Sequence, residues 1–96
     1  MPSSEEYLQY VLELLRGIPD ISCKRMMGEY LLYKEGVLFG GVYDNRFLVK
    51  KTKSLEERGL KEQIPYPSAK PMYLVDCEDA EEVARLIELA CRDLGK

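Results

Sequence analysis

Lys24-Arg25-Met26-Met27-Gly28-Glu29-Tyr30-Leu31-Leu32-Tyr33-Lys34-Glu35-Gly36-Val37-Leu38-Phe39-Gly40-Gly41-Val42-Tyr43-Asp44-Asn45-Arg46-Phe47-Leu48-Val49-Lys50-Lys51 is the stretch that decides the fold. Three runs rich in Tyr, Leu, Val and Phe are separated by short breaks. In Lys34-Glu35-Gly36, glycine stands where a hairpin needs positive φ. Asp44-Asn45 uses two residue types that tolerate the left-handed region. A three-strand antiparallel meander is the reading. Residues 21–27 are a candidate further strand leading into it, with alternation spoiled by the adjacent Lys24 and Arg25. Gly28 breaks or bends that run, as a bulge, a tight turn or a close backbone contact would. Gly40-Gly41 has two readings: room for a ring packed across the strand, from Tyr30 or Tyr33, or close approach of a ligand.

Outward from the meander, helical spacing takes over. Leu8, Val11, Leu12 and Leu15, widened by Tyr7 and Leu14, form one apolar stripe opposite Glu5, Gln9, Glu13 and Arg16. Ser3 and Glu6 have the spacing of a capping box, and Gly17 and Pro19 stop the helix. Ser54-Leu55-Glu56-Glu57 predicts a second capping box on a short helix ending near Gly59. Residues 61–70 hold Pro65, Pro67, Ser68 and Lys70, and Pro71 follows. Such proline density predicts an ordered surface loop, with Ile64 and Tyr66 pinned to the body. Met72-Tyr73-Leu74-Val75 is one more strand. Asp79-Ala80-Glu81-Glu82 caps a helix from Ala80 to about Leu94, with Val83, Ala84, Ile87, Ala90, Cys91 and Leu94 on its apolar face and Gly95 as its stop.

These elements predict an α+β two-layer sandwich, an antiparallel sheet of about five strands with the N- and C-terminal helices packed on one face. Residues 1–96 form a single domain, with no internal repeat. The open face of the sheet carries some of the seven tyrosines and is a candidate interface for a homodimer or another protein.

Composition narrows the chemistry. Among 96 residues there is no histidine, the side chain most used for acid–base work near neutral pH and for metal ligation. Three cysteines, Cys23, Cys77 and Cys91, have no paired spacing, which favours small buried thiols over a disulfide framework or a zinc site. Cys91 is expected to be buried. Cys77, near a helix start, is the first candidate for a reactive thiol. Asp76, Glu78 and Asp79 match no calcium-loop spacing and read as a cap and solvated turn. The net charge of −3 disfavours direct, specific DNA binding, because Lys50, Lys51, Lys53, Arg58 and Lys61 make only a modest local basic excess. The apolar run of residues 37–43 falls short of a membrane span, and residues 2–6 lack a signal-peptide pattern, so a cytoplasmic location is expected.

Arg25-Met26-x-Gly28-x-Tyr30-x-Leu32-Tyr33-x-x-Gly36-Val37-x-Phe39 resembles the signature of the N-terminal domain of the TfoX/Sxy competence-regulator family. Relatives typically have an aromatic residue where Met27 stands and a second glycine where Glu29 stands. The resemblance implies a non-enzymatic regulatory domain, linked to competence or transcription and acting through a protein partner. It implies no cofactor and carries over no catalytic residue. Longer family members have a C-terminal domain of helical hairpins, so this chain is expected to be a short stand-alone member. The motif marks Arg25, Met26, Gly28, Glu29, Tyr30 and Tyr33 as candidate interaction residues, with Arg25 and Glu29 placed to pair or to meet a ligand. The alternative from the same residues is a small-molecule-binding or minor enzymatic surface around Arg25 and Gly28.

Overall fold

The computed structural model describes residues 3–95. The meander has four strands in succession: β1 (Ile21–Met26), β2 (Glu29–Lys34), β3 (Val37–Val42) and β4 (Phe47–Val49). All three connections turn on two residues of positive φ, the pattern of a type I′ hairpin. They are Met27 (51°) and Gly28 (85°), Glu35 (51°) and Gly36 (81°), and Asp44 (51°) and Asn45 (54°). Around the last of these, Tyr43 and Arg46 exchange backbone hydrogen bonds of 2.9 and 3.0 Å. The Gly28 break is therefore a turn. The bulge lies elsewhere: Leu32 pairs with Gly40 but Tyr33 with Leu38, leaving Phe39 as the extra residue of β3.

This register sorts the side chains. Tyr30 lies opposite Val42, Val42 opposite Phe47, and Val49 opposite Tyr73. These residues, with Leu32 and Phe39, join one buried cluster with Leu8, Val11 and Leu14 of α1 (Glu5–Leu14) and Val83, Leu86, Ile87 and Ala90 of α2 (Ala80–Leu94). Both helices thus cover the same face. The other face carries the row Lys24, Leu31, Gly41, Leu48 and Leu74.

The helix starts partly depart from the expected caps. Ser4, not Ser3, caps α1, accepting from the Tyr7 amide, while Ser3 is drawn away to bond Glu29. Ser54 does not cap the 3-10 helix Lys53–Arg58. Its amide and hydroxyl both donate to the Asp93 carboxylate, at 2.8 and 2.9 Å, tying that helix to the last turn of α2. Asp79 caps α2 as expected, accepting from the Glu81 amide. Glu82 does not complete the box, because it engages Arg85 at 2.7 Å and Arg58 at 3.6 Å.

Two strands complete the sheet: β5 (Glu62–Gln63) and β6 (Met72–Leu74), in the order β1-β2-β3-β4-β6-β5. The sixth strand is β5, two residues long at the start of the expected loop. Gly40 and Gly41 answer to packing. A Cβ on Gly40 would come within 2.9 Å of the Val49 Cα and would also strike the Leu48 carbonyl; one on Gly41 would meet the Tyr43 ring at 2.9 Å. The ring that needs the space is Tyr43, rather than Tyr30 or Tyr33.

Met27 occupies the first turn position in the left-handed region with no side-chain burial to compensate, being 96% exposed. Gly28→Ala is expected to destabilise the fold by about 1 kcal/mol or more. Met27→Asn, which tolerates that geometry, is expected to raise the denaturation midpoint. Chemical denaturation of both variants checks the pair.

Candidate functional site

Glu29 is the organising group at the hairpin tips. Its carboxylate accepts from the Ser3 amide (3.1 Å), the Ser3 hydroxyl (2.8 Å) and the Asp44 amide (3.1 Å). Ser3 in turn accepts from the Asn45 amide at 3.0 Å, and its own amide also reaches the Gly28 carbonyl at 3.1 Å. The N-terminal segment is therefore stapled to two turns, and Glu29 is engaged in that staple. Arg25 lies on the opposite face, across from Tyr30, whereas Glu29 lies across from Met26. The Arg25–Glu29 pair suggested by the sequence does not form, because β-strand alternation points the two side chains apart. The Arg25 side chain is exposed and, among the described residues, makes no hydrogen bond or ion pair.

The remaining motif residues also divide. Tyr30 belongs to the core beneath the helices and is unavailable as an interaction residue. Gly28 forms the turn. Met26 (47% exposed) and Tyr33 (half-buried) lie on the face without helices.

That face holds a groove of about 670 Å³. Its apolar lining includes Met26, Leu31, Leu38, Tyr43, Tyr66 and Met72. One wall is the proline-rich strap, residues 64–71, and the strap is not held as the sequence suggested. Ile64 is 52% and Tyr66 55% exposed, so neither is pinned by burial. Tyr66 instead rests on Tyr43, ring centroids 6.1 Å apart. The main fastening is Arg46. Its guanidinium donates to Gln63 Oε1 (2.9 Å), the Ile64 carbonyl (3.2 Å) and the Pro65 carbonyl (3.1 Å), while Nε donates to the Tyr43 carbonyl (3.2 Å). A planar fork can satisfy several carbonyls of a proline-rich segment that cannot join the sheet ladder. Sequence reasoning missed Arg46, because its partners lie 17 to 19 residues away. It also missed Tyr43, whose place beside Asp44-Asn45 hid its side-chain role.

Burial, followed by the neighbouring Tyr66, Glu29 and Tyr33, pushes the Tyr43 phenol above its ordinary value, so it is neutral at physiological pH. Lys51 pairs with Glu62 at 3.2 Å and lies over the Tyr73 ring at 5.7 Å. Among the described residues no group of three or more His, Cys, Asp or Glu side chains could hold a metal ion. No described helix is long and apolar enough to cross a membrane.

The thiols depart from the expected burial. Cys23 is exposed on the edge strand β1, and Cys77 and Cys91 are half-buried. Cys77 Sγ accepts from the Asp79 amide at 3.3 Å, part of the α2 start. Burial raises the Cys91 pKa, while nearby Lys34 lowers it and Glu35 raises it further.

Two comparisons with known proteins bear on this chain. The family model of the TfoX N-terminal domain matches residues 13–93. An uncharacterized 12.7 kDa protein from the trpE 5′ region of Spirochaeta aurantia is 32% identical over 91 residues, covering 93% of this chain and 78% of that protein.

Loss of the Arg46 fork in Arg46→Ala is expected to cost about 2 kcal/mol and to expose the strap to protease. Arg46→Lys should recover little, because an ammonium lacks the fork. Denaturation midpoints and limited proteolysis test both. Thiol labelling of the native protein should follow the order Cys23, Cys77, Cys91. Because the raised Cys91 pKa disfavours its thiolate, its labelling should rise only at higher pH than that of a free cysteine. Folding correspondingly favours the neutral Cys91 thiol, a contribution lost as pH rises above the pKa of the unfolded chain. Mass-resolved alkylation across a pH series reads both effects.

Proposed function

This chain belongs to the TfoX N-terminal domain family, and from that premise we propose that it is a non-enzymatic regulatory domain that works by binding another protein. The observation that carries the reading is the hairpin tip. Met27 is an almost fully exposed apolar residue held at a positive φ. Local preference there is for asparagine or glycine, and a breach of local consistency without a packing gain points to function. Met27 adjoins Met26, and Met26 opens onto the apolar groove, so tip and groove make one continuous surface. Methionine suits such a surface, being unbranched and adaptable. Competence or transcription control, a cytoplasmic setting and self-association belong to this proposal.

The rival, a small-molecule or minor enzymatic site centred on Arg25 and Gly28, finds less support. Arg25 is on the face away from the groove, and Glu29 is occupied by Ser3 and the Asp44 amide. Direct DNA reading is also disfavoured. The net charge is −3, and α2 carries the exposed Glu81 and Glu88.

A photo-crosslinking residue at Met27 or Tyr66, introduced in the native cell, is expected to give discrete protein adducts, or a dimer of this chain. The same probe at Glu13 should give none. Adducts to nucleic acid alone, or sequence-selective duplex binding by the purified chain at physiological salt, would overturn the reading. Light scattering across a concentration series separates self-association from a second protein.

A further inference from the structure

The groove is apolar along its floor and basic at one end. Lys50, Lys51 and Lys70 line it, and no Asp or Glu does. Lys51 is committed to Glu62, but among the described residues Lys50 and Lys70 have no carboxylate partner. In a chain of net charge −3 this is a local feature, not an overall bias.

The register fixes which end is which. The Tyr43 and Tyr66 rings meet at a tilt of 53° beside the Asp44-Asn45 turn, which leads into β4. Lys50 follows the last residue of β4, its amide bonded to the Phe39 carbonyl at 2.8 Å. Val49 pairs with Tyr73, which brings the Met72 end of β6, and so the Lys70 end of the strap, to the same side. From Arg46 to Lys50 the strand rises about 13 Å, four residues of extended chain. Between Tyr66 and Lys70 the strap makes a turn, the Ala69 amide bonded to the Tyr66 carbonyl at 3.0 Å with Ser68 at positive φ, and Lys70 leads from that turn to β6. The groove thus follows β4 beneath the strap from the tyrosine pair to Lys50 and Lys70, with Leu38 and Met72 continuing its apolar floor to the cationic end.

We propose that this groove receives an extended peptide segment of the partner protein, with two apolar side chains and a carboxylate spaced apolar–x–apolar–x–acidic. In an extended segment alternate side chains point the same way, so three such residues cover about the length of the groove. The apolar pair enters between Leu31, Leu38 and Tyr66, and the carboxylate reaches Lys50 and Lys70. The inference rests on the protein-binding reading above and adds where the partner sits and what chemistry it presents.

Selection of a random 12-residue displayed peptide library on the purified chain tests it. The expected peptides share the apolar–x–apolar–x–acidic spacing, and their synthetic forms shift the NMR signals of Leu31, Leu38 and Met72. The variant Lys50→Glu/Lys70→Glu should weaken them about tenfold or more and should bind versions whose acidic residue is replaced by Lys. This charge swap distinguishes recognition from loss of folding. Tyr66→Ala should weaken both sets. Enriched peptides that lack the carboxylate, or that shift signals at β1 or α2 instead, would overturn the groove assignment while leaving the protein-binding reading intact. A library that yields no binder on any surface would count against both.

Discussion

The positive φ pairs at the three hairpin tips are the constraint on which the rest of the structure depends. The central strands are apolar on both faces: Phe47, Leu48 and Val49 are all buried, and Tyr30-Leu31-Leu32-Tyr33 has no polar alternate. A one-residue slip would therefore exchange one apolar set for another, and the hydrophobic pattern alone resists it weakly. Two-residue turns resist it strongly, because their geometry dictates which residues face each other. Met27-Gly28, Glu35-Gly36 and Asp44-Asn45 each impose one register. Together with the bulge at Phe39, which shifts the β2–β3 pairing by one residue, they send Tyr30, Leu32, Phe39, Val42, Phe47 and Val49 to the helices and Leu31, Gly41 and Leu48 to the other side.

A sheet apolar on both faces needs two covers. The first is ample: α1 and α2 bury their stripes in one cluster with Phe39 and Phe47 fully enclosed. The second is a strap of proline-rich chain, which has little regular backbone bonding to hold it. Arg46 supplies what the ladder cannot, bonding two strap carbonyls and Gln63 from one side chain. The strap is narrower than the face it crosses. Leu48 is covered completely, whereas Leu31 and Leu38 stay partly open to the groove. The groove is thus a consequence of covering a two-sided apolar sheet with too little chain, and Met26 extends its lining to the edge strand β1.

Family membership and physical reading meet at the β1–β2 turn, though they weigh its residues differently. The motif marks Tyr30 and Glu29 beside Met26 and Gly28. In the structure Tyr30 fills the core and Glu29 staples Ser3 to the Asp44 turn. A family signature of this kind records what the fold requires as well as what the surface does. The exposed share of it, Met26 and the turn it leads into, is the share that faces the groove.

The sequence by itself determined the two helices, the meander and the strand at Met72, the α2 start at Asp79 and its stop at Gly95, and the two-layer arrangement, but not β5. These are local matters: a glycine at a turn, a side chain reaching its own helix start, a stripe at helical period. The chain's family was equally legible, because the motif is contiguous. Only the tertiary structure decided what depends on distant partners. Ser3 and Ser54 look like caps in sequence, yet Glu29 and Asp93 claim them across 26 and 39 residues. Gly41 makes room for Tyr43 because a ring folds back over its own strand. Arg46 is one charged residue in an apolar run until the strap returns to its fork. The groove has no signature at all, since its floor, wall and lysine end come from β1, β2, β3, the residues after β4, the strap and β6, which only the register brings together.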